Sequence, residues 1–273
     1  MSTTELRAWR VTDAAAWNAF VESAPYHAFP QLWEWGEVRA MGGWRPIRLA
    51  IGPSREQPVA GAQLLLRRMP VVGWHLAYVP RGPIGDLDVP GVRDALLAAL
   101  RTVGGVEKIA TVRADPEARV DTPYGRALFA APWRDAPKIQ PPTTRVIDLG
   151  PGEEALKAAL KRKHRQYVNK AERSGVTIER FDGSTPSDVI GPALADFNRI
   201  HQFTAGRAGF VARQAFYYER VWSLFAPTGR VRLSFAVKDC ERVAVLYHFT
   251  CGDRAVESYG GMTDAGAEAR ANY

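Results

Sequence analysis

A chain of 273 residues is long enough for two domains of about 100 to 200 residues each, which argues against a single small binding module. Hydrophobic residues make up 46% and charged residues 24%, ordinary globular values that exclude a largely disordered or fibrous protein. Lysine and arginine exceed aspartate and glutamate by 36 − 29 = 7. This excess favours polyanionic partners, namely nucleic acid, nucleotide-linked substrates or an anionic membrane face.

Hydrophobic periodicity in the first half of the chain predicts the element order β-α-α-β-β-β-α-β-α. The predicted segments are, in chain order, Leu6–Val11, Asp13–Ser23, Gln31–Met41, Ile47–Ile51, Val59–Leu66, Trp74–Val79, Val92–Val103, Ile109–Val112 and Tyr124–Ala130. Glycine- and proline-containing turns separate most of these segments, which supports their boundaries.

The second half repeats this order after a predicted strand at Thr144–Leu149 and a predicted helix over about 153–173. The repeated segments are Thr177–Phe181, Pro186–His201, Ala215–Phe225, Val231–Val237, Val243–Thr250 and Ala255–Tyr259. The pattern predicts two α+β units, residues 1–143 and 144–273. A further helix, strand and helix would complete the second repeat, so we expect that unit to be incomplete at its C-terminal end.

The helix predicted over 153–173 is strongly basic. Seven lysines or arginines lie between Lys157 and Arg173, against the single acid Glu172. On one continuous helix, an apolar face of Leu156, Leu160, Tyr167 and Ala171 would oppose a basic face of Lys161, Arg162, Arg165 and Arg173. A face built only for solubility usually carries both signs of charge, so contact with phosphates of RNA or a nucleotide is the alternative to a merely solvated surface.

Other site classes find little support in the sequence. Cys240 and Cys251 flank the predicted strand at Val243–Thr250, and an extended chain over their 11-residue separation would place them about 36 Å apart, beyond disulfide reach. We therefore predict free thiols. The chain has no CxxC or HExxH motif, and no metal or cofactor is predicted. With no run of about 20 apolar residues and no signal peptide at the N-terminus, we expect a cytoplasmic protein without a transmembrane segment.

Four motifs, taken together, resemble the Fem family of peptidoglycan-bridge aminoacyltransferases, the lipid II glycine glycyltransferase group. They are Gln31-Leu-Trp-Glu-Trp-Gly-Glu-Val-Arg39, Tyr78-Val-Pro-Arg-Gly-Pro-Ile-Gly-Asp86, the basic segment from Leu160 to Val176, and Ser258-Tyr-Gly-Gly-Met262. Each motif is weak alone, but their order and spacing are similar to those of the family.

The resemblance implies two acetyltransferase-like (GNAT) units in tandem, in agreement with the repeat of elements. It also implies transfer of an amino acid from aminoacyl-tRNA to an amino group of a UDP- or lipid-linked muropeptide precursor, with peripheral contact to the inner membrane face as a further expectation. On this basis the expected tRNA-binding residues are Lys161, Arg162, Lys163, Arg165, Lys170 and Arg173.

The resemblance also assigns roles to single residues. Asp86 matches a loop aspartate that acts as a base, although it could instead cap the following helix. Arg213 and Tyr217, four apart on a predicted helix, match residues that hold the substrate's phosphates and sugar, and Tyr259 matches a third substrate-side residue. Arg39 stands where the family often has a phosphate-binding lysine.

Two other functions remain open on the sequence alone. One is a CoA-dependent N-acyltransferase, although no clear pyrophosphate-binding Arg/Gln-x-x-Gly-x-Gly/Ala loop is present. The other is a non-catalytic RNA-binding or cell-wall-regulatory protein on the same fold. The transferase hypothesis suits the sequence because aminolysis of an activated ester needs neither a metal nor a nucleophilic side chain.

Overall fold

The computed structural model describes residues 5–130, 132–141 and 143–273. The chain forms two compact α+β units. One comprises Met1–Pro142 with Cys251–Arg254, and the other comprises Thr143–Thr250 with Ala255–Tyr273. No helix among the described residues is both long enough and apolar enough to cross a membrane.

The first unit is built on a six-stranded sheet. Its strands are β1 (Arg7–Arg10), β2 (Arg45–Gly52), β3 (Ala60–Arg68), β4 (His75–Val79), β5 (Ile84–Gly85) and β6 (Ile109–Ala114). The sheet order is β1-β2-β3-β4-β6, and the short β5 pairs with the start of β3. All these pairs are antiparallel except β4 with β6, which are parallel and therefore end at the same edge of the sheet.

Four helices accompany this sheet, namely α1 (Ala14–Ser23), α2 (Trp33–Ala40), α3 (Pro90–Val106) and α4 (Pro123–Ala127). The α3 residues Leu96, Ala99, Leu100 and Val103 recur at helical spacing and form a buried stripe against one face of β2 and β3. Asp13 caps α1, its carboxylate accepting the Ala16 N–H at 2.7 Å. The central strand β3 is buried along most of its length, which makes it the core of the unit.

The second unit contains a four-stranded sheet in the order β10-β9-β8-β7. Its strands are β7 (Thr177–Phe181), β8 (Val231–Lys238), β9 (Glu241–Cys251) and β10 (Arg254–Met262). Its helices are α5 (Glu153–Ala159), α6 (Arg162–Arg173), α7 (Ser187–Ala208), α8 (Ala215–Phe225) and α9 (Asp264–Ala269). The core between α7, α8 and this sheet is aromatic, with Phe197, Phe225, Tyr247 and Phe249 fully buried.

The predicted order of elements is confirmed over most of the chain. From β1 to α3 the first unit has the order β-α-α-β-β-β-α, interrupted by the two-residue strand β5, and from β7 to α9 the second unit has it again. The prediction that Cys240 and Cys251 do not form a disulfide is also confirmed.

The predicted strand at Thr144–Leu149 is wrong. Residues 143–149 form neither helix nor strand, and Val146, Ile147 and Leu149 expose their side chains. Alternating apolar residues suit a strand only where a neighbouring strand pairs with the backbone and one face is covered. Among the described residues, no strand pairs with this segment.

The single helix predicted over 153–173 is also wrong, because the chain breaks between α5 and α6. Leu160 and Lys161 have extended backbones, with ψ of 141° and 144°. The Arg165 guanidinium donates to the carbonyl oxygen of Ala158 at 2.7 Å and also to that of Leu160, and these bonds satisfy carbonyls at the end of α5. The proposed common face of Leu156, Leu160, Tyr167 and Ala171 therefore does not exist.

Candidate functional site

In the first unit, Gln31 fixes the loop that follows β4. The Gln31 side chain is fully buried, and its Nε2 donates to the carbonyl oxygen of Pro80 at 2.6 Å. Its Oε1 accepts the backbone N–H of Gln63 in β3 at 2.7 Å. Gln31 lies in a 3₁₀ turn just before α2 rather than in the helix predicted there. The first of the four motifs thus has a structural role, which is to tie the loop after β4 to the central strand.

Gln63 continues this buried polar network on the same face of β3. Its Nε2 donates to the carbonyl oxygens of Pro30 at 3.1 Å and Leu32 at 2.9 Å. Its Oε1 accepts from Arg48 Nε at 2.8 Å. The guanidinium of Arg48 also pairs with Glu37 at 3.0 Å, so its charge is compensated although burial lowers its pKa.

Asp115 holds the same loop from the end of β6. Its Oδ1 accepts the backbone N–H of Arg81 at 2.7 Å, and its Oδ2 accepts the Tyr78 hydroxyl at 2.8 Å. Arg81 has a φ of 51°, so this bond helps to hold a left-handed residue in place. Burial raises the pKa of Asp115, and burial followed by the charge of Asp115 raises the pKa of Tyr78. Sequence reasoning missed Asp115, although a polar residue at the end of a strand parallel to β4 was a usable signal.

The proposed base Asp86 is exposed, and its backbone is well fixed. Its N–H donates to the carbonyl oxygen of Val59 at 2.9 Å, and its own carbonyl accepts the N–H of Val89 at 3.1 Å. The helix-capping alternative for Asp86 is wrong, since α3 begins at Pro90 with Val89 as its cap residue. The nearby Asp88 carboxylate accepts hydrogen bonds from the Tyr26 hydroxyl and the Tyr124 N–H.

Arg39 does not lie beside Asp86. Its guanidinium is 5.8 Å from the ring of Trp44, and the guanidinium of Arg67, at the end of β3, is 5.5 Å from the same ring. Asp86 follows β5, which pairs with the first residues of β3. A nine-residue strand is about 25 Å long, so Arg39 and Asp86 occupy opposite ends of the sheet.

In the second unit, Arg213, Tyr217 and Tyr259 come together. The hydroxyl oxygens of Tyr217 and Tyr259 are 3.4 Å apart, and the Arg213 guanidinium carbon is 5.8 Å from the Tyr217 ring centre. The expectation that Arg213 lies on a helix with Tyr217 is wrong, because α8 begins at Ala215. The Arg213 backbone is held instead by hydrogen bonds, its N–H donating to the Tyr218 hydroxyl at 3.1 Å.

The surroundings of Tyr259 explain how this group is held. Burial, and then the nearby Tyr217, raises the pKa of Tyr259 well above its usual value, so its hydroxyl stays protonated at neutral pH. His201 is buried, its ring stacks on Phe197 at 5.3 Å, and its Nδ1 donates to the carbonyl oxygen of Gly260 at 2.9 Å. His201 thus fixes the backbone beside Tyr259, a supporting role that no sequence pattern revealed.

The residues of the basic segment around α6 differ in how far their side chains are exposed. Five of the six expected tRNA-binding residues have exposed side chains, namely Lys161, Arg162, Lys163, Lys170 and Arg173. Arg165 is different, because its guanidinium is used to bond the end of α5. On the inner side of α6, Tyr167 packs on Tyr273 with ring centres 4.8 Å apart.

A separate cleft of about 620 Å³ in the second unit contains none of the expected site residues. Its charged lining residues pair with one another. Arg242 donates through Nε and Nη2 to the Glu179 carboxylate, at 2.7 and 2.9 Å, and through Nη1 to Asp196 at 3.0 Å. The bond to Glu179 contributes most to raising the pKa of Arg242. Within the described part of the chain, no cluster of three or more histidine, cysteine or acidic side chains could hold a metal ion.

Comparison with known proteins gives consistent matches. The sequence profile of the FemAB family matches residues 12–241. Lipid II:glycine glycyltransferase of Staphylococcus aureus is 29% identical over 232 residues, covering 81% of this chain and 52% of that protein. The chain therefore spans about half the length of the curated relatives that it matches.

A solved structure shows the fold. The crystal structure of FemX superposes with a TM-score of 0.84 at 19% identity, covering 97% of this chain and 83% of the FemX chain. A tandem GNAT protein from the clavulanic acid biosynthesis pathway aligns over 96% of this chain with a TM-score of 0.47. Together with the repeated order of elements, the FemX match shows an α+β fold of two units in tandem.

Proposed function

Because the chain belongs to the FemAB family, we propose that it is a transferase that moves an amino acid from aminoacyl-tRNA to an amino group of a peptidoglycan precursor peptide. The name of its relative, lipid II:glycine glycyltransferase, describes an aminoacyl transfer to a lipid-linked acceptor. The observation that carries the proposal is the grouping of Arg213, Tyr217 and Tyr259 in the second unit.

This group has the chemistry to bind a phosphorylated acceptor. A guanidinium forms charge-assisted bonds to phosphate oxygens, and the two phenol hydroxyls can bond sugar or phosphate oxygens. The Arg213 guanidinium has no ion pair with an acid in residues 5–130, 132–141 or 143–273, so its charge is available to a ligand. We propose a lipid-linked acceptor, as for the relative, with a UDP-linked precursor as the alternative that the test includes.

The chemical step makes modest demands on the protein. The ester of aminoacyl-tRNA is already activated, so the acceptor amine must be deprotonated and held close to the ester carbon. The amine forms the new amide bond, the ester C–O bond breaks, and the tRNA hydroxyl leaves with a proton. We propose the exposed Asp86 carboxylate as the base that takes the amine's proton. General base catalysis of this kind contributes roughly 10²- to 10⁴-fold.

For the donor we propose the exposed basic residues of the α5–α6 segment as a contact for tRNA. Lys161, Arg162, Lys163, Lys170 and Arg173 give this short segment a concentrated positive surface. Glu172, the single acid between Lys157 and Arg173, is paired with Lys157 at 3.0 Å. Phosphate contacts to such residues bind nucleic acid without reading its sequence, which suits recognition of the tRNA backbone.

The proposal is tested by incubating the chain with a mixture of charged tRNAs and either a lipid-linked or a UDP-linked precursor. We expect a mass increment of one amino acid on the precursor peptide. A parallel reaction supplies acetyl-CoA without tRNA, and an acetyl increment there would replace the proposed donor by CoA. The Asp86→Asn variant serves as a control for the base and is expected to transfer at least 10²-fold more slowly. Absence of any increment with every donor would contradict the proposed function.

A further inference from the structure

One end of the sheet in the first unit exposes an unusual number of apolar side chains. The β3–β4 tip, residues 69–74, projects from this end. Val71 is fully exposed, Val72 is 56% exposed and Trp74 is 47% exposed. Met69 in the same tip and Met41 in the turn before β2 are also exposed. An exposed apolar group of this size needs a partner, because a surface built only for water does not concentrate such residues.

The turn before β2 lies beside this tip. Arg45, the first residue of β2, pairs with Leu66 near the end of β3. Trp44, just before Arg45, is half-buried, and the guanidinium of Arg67 lies 5.5 Å from its ring. We call the exposed or half-buried apolar side chains of the two segments the tip surface, and they are Met41, Trp44, Met69, Val71, Val72 and Trp74.

The tip is a formed turn that holds Val71 outward. Its closing bond runs from the Met69 N–H to the carbonyl oxygen of Trp74 at 2.7 Å, and the Val72 N–H donates to Pro70 at 2.9 Å. Val71 has a φ of 75°, a conformation that is unfavourable for a β-branched residue. Backbone strain of this kind is concentrated at functional surfaces. The chain therefore accepts strain to present an aliphatic side chain to its surroundings.

The charge around the tip surface is positive. Arg67, Arg68 and Lys108 are exposed at this end of the sheet, and Arg39 lies against Trp44. None of these four forms an ion pair with an acidic residue in the described ranges 5–130, 132–141 and 143–273. Glu107, an acid at the same end, is already bonded to both Arg10 and Arg45. The apolar tip is thus bordered by uncompensated cations.

We infer that the tip surface docks the first unit on an anionic lipid bilayer. Tryptophan rings favour the boundary between headgroups and acyl chains, and aliphatic side chains such as Val71 and Val72 enter the apolar layer below it. The bordering arginines then face the lipid phosphates, and each cation near an anionic surface strengthens binding about fivefold. The purpose of this docking, access to a lipid-linked acceptor, rests on the proposed function, whereas binding to vesicles does not.

The combination of side chains favours a membrane over other polyanionic or apolar partners. RNA would bind the arginines, but its phosphate backbone offers no contact for the projecting Val71 and Val72. A second copy of the chain would bring one set of unpaired cations against another, which is unfavourable. An anionic bilayer satisfies both the apolar and the basic residues.

The test is co-sedimentation of the chain with vesicles of phosphatidylcholine alone or mixed with phosphatidylglycerol. We expect binding to the mixed vesicles that weakens with added salt. Val71→Asp with Val72→Asp should abolish binding, and Arg67→Gln with Arg68→Gln should weaken it about 25-fold. The control is Val120→Asp. Val120 is 69% exposed and lies after the C-terminal end of β6, whereas the tip surface lies near the N-terminal end of that strand. Circular dichroism should show that all variants keep the wild-type fold, since the changed side chains are exposed.

The docking inference is overturned if the wild type does not sediment with anionic vesicles or if the tip variants bind as well as Val120→Asp. It is also overturned if the tip changes abolish only self-association of the chain. Failure of the proposed function is separate from these outcomes, because vesicle binding needs no transfer. If the chain is a transferase, Val71→Asp with Val72→Asp should lose transfer to a vesicle-embedded acceptor and keep transfer to a soluble precursor.

Discussion

The side-chain nitrogen of Gln31 lies where any side chain on Gly82 would have to go. A Cβ at Gly82 would be 2.6 Å from Gln31 Nε2 and 2.7 Å from Gln31 Cδ. The glutamine cannot move aside without giving up its bonds to Pro80 and Gln63. Two of the motifs found in the sequence are therefore a single packing arrangement in space.

Gly82→Ala is expected to destabilise the first unit by about 1–3 kcal/mol, because overpacking a buried site forces its neighbours to shift. The matched control is Gly91→Ala at the start of α3, where a Cβ meets open space, and this variant should be unchanged or slightly more stable. Urea unfolding of both variants measures the difference. Equal stability of the two variants would show that Gln31 relaxes at no cost.

Charge removal on α6 should weaken tRNA binding in a salt-dependent manner. In the triple variant Arg162→Gln, Lys170→Gln and Arg173→Gln, the slope of log affinity against log salt should be shallower by about 0.7 to 0.9 per lost phosphate contact. The control triple variant removes the exposed arginines Arg55, Arg101 and Arg220. It alters the net charge equally and should leave the slope unchanged.

Arg165 distinguishes a structural cation from a binding one. Because its guanidinium bonds the end of α5, Arg165→Ala should lower the thermal stability of the second unit and leave the salt slope of tRNA binding unchanged. Arg162→Ala should leave the thermal stability unchanged and make the salt slope of tRNA binding shallower. A change in slope for Arg165→Ala with no loss of stability would mean that the residue contacts phosphate instead.

Arg213→Ala and Tyr217→Phe should raise the KM for the acceptor and leave tRNA affinity unchanged. Loss of a charge-assisted bond costs about 1.5–3 kcal/mol, and loss of a neutral hydroxyl bond about 1 kcal/mol, so the arginine change should have the larger effect. Arg220→Ala, an exposed change on α8, the helix that carries Tyr217, is the control. Steady-state kinetics with each substrate varied in turn gives both values. Parallel losses for acceptor and tRNA would make these two residues structural.

The amino-acid sequence predicts some features of the fold and misses others. Apolar runs located the strands of both units except the two-residue β5, because β2 and β3 are buried almost continuously and much of β8 is buried. The break at Leu160 and Lys161 has no proline or glycine to announce it, and it depends on bonds from Arg165, four or more residues later. The predicted bounds of α8, Ala215–Phe225, are confirmed, but the sequence did not reveal the hydrogen bond to the Tyr218 hydroxyl that holds Arg213 just before this helix.

Asp115 should make stability depend on pH in a direction opposite to that of most carboxylates. Burial raises its pKa above the unfolded value of 3.8, so the folded chain binds this proton more tightly. Its favourable contribution is therefore complete below pH 3.8 and is lost as the pH rises through the folded pKa. The free energy of unfolding of the wild type, relative to Asp115→Asn, should accordingly be larger at about pH 3 than at pH 7.

The exposed Asp121 provides the contrast for this measurement. The hydrogen bond from Arg119 lowers the pKa of Asp121, so its favourable contribution appears as the pH rises. The wild type relative to Asp121→Asn should therefore gain stability between about pH 3 and pH 7, although solvent screening keeps the change small. Urea unfolding at the two pH values measures both differences. The same sign for both positions would mean that the bonds from Arg81 and Tyr78 outweigh burial at Asp115.

The buried bonds of Gln63 also decide how β3 aligns with its neighbours. Between Ala60 and Leu66, every residue of β3 other than Gln63 is alanine, glycine or leucine, so the apolar side chains alone would accept several alignments. A slip of one residue would turn Gln63 toward the α3 face and leave Arg48 and Gln31 with unpaired buried groups. Gln63 thus makes one alignment of β3 with its neighbouring strands favourable. A leucine at this position would have permitted several.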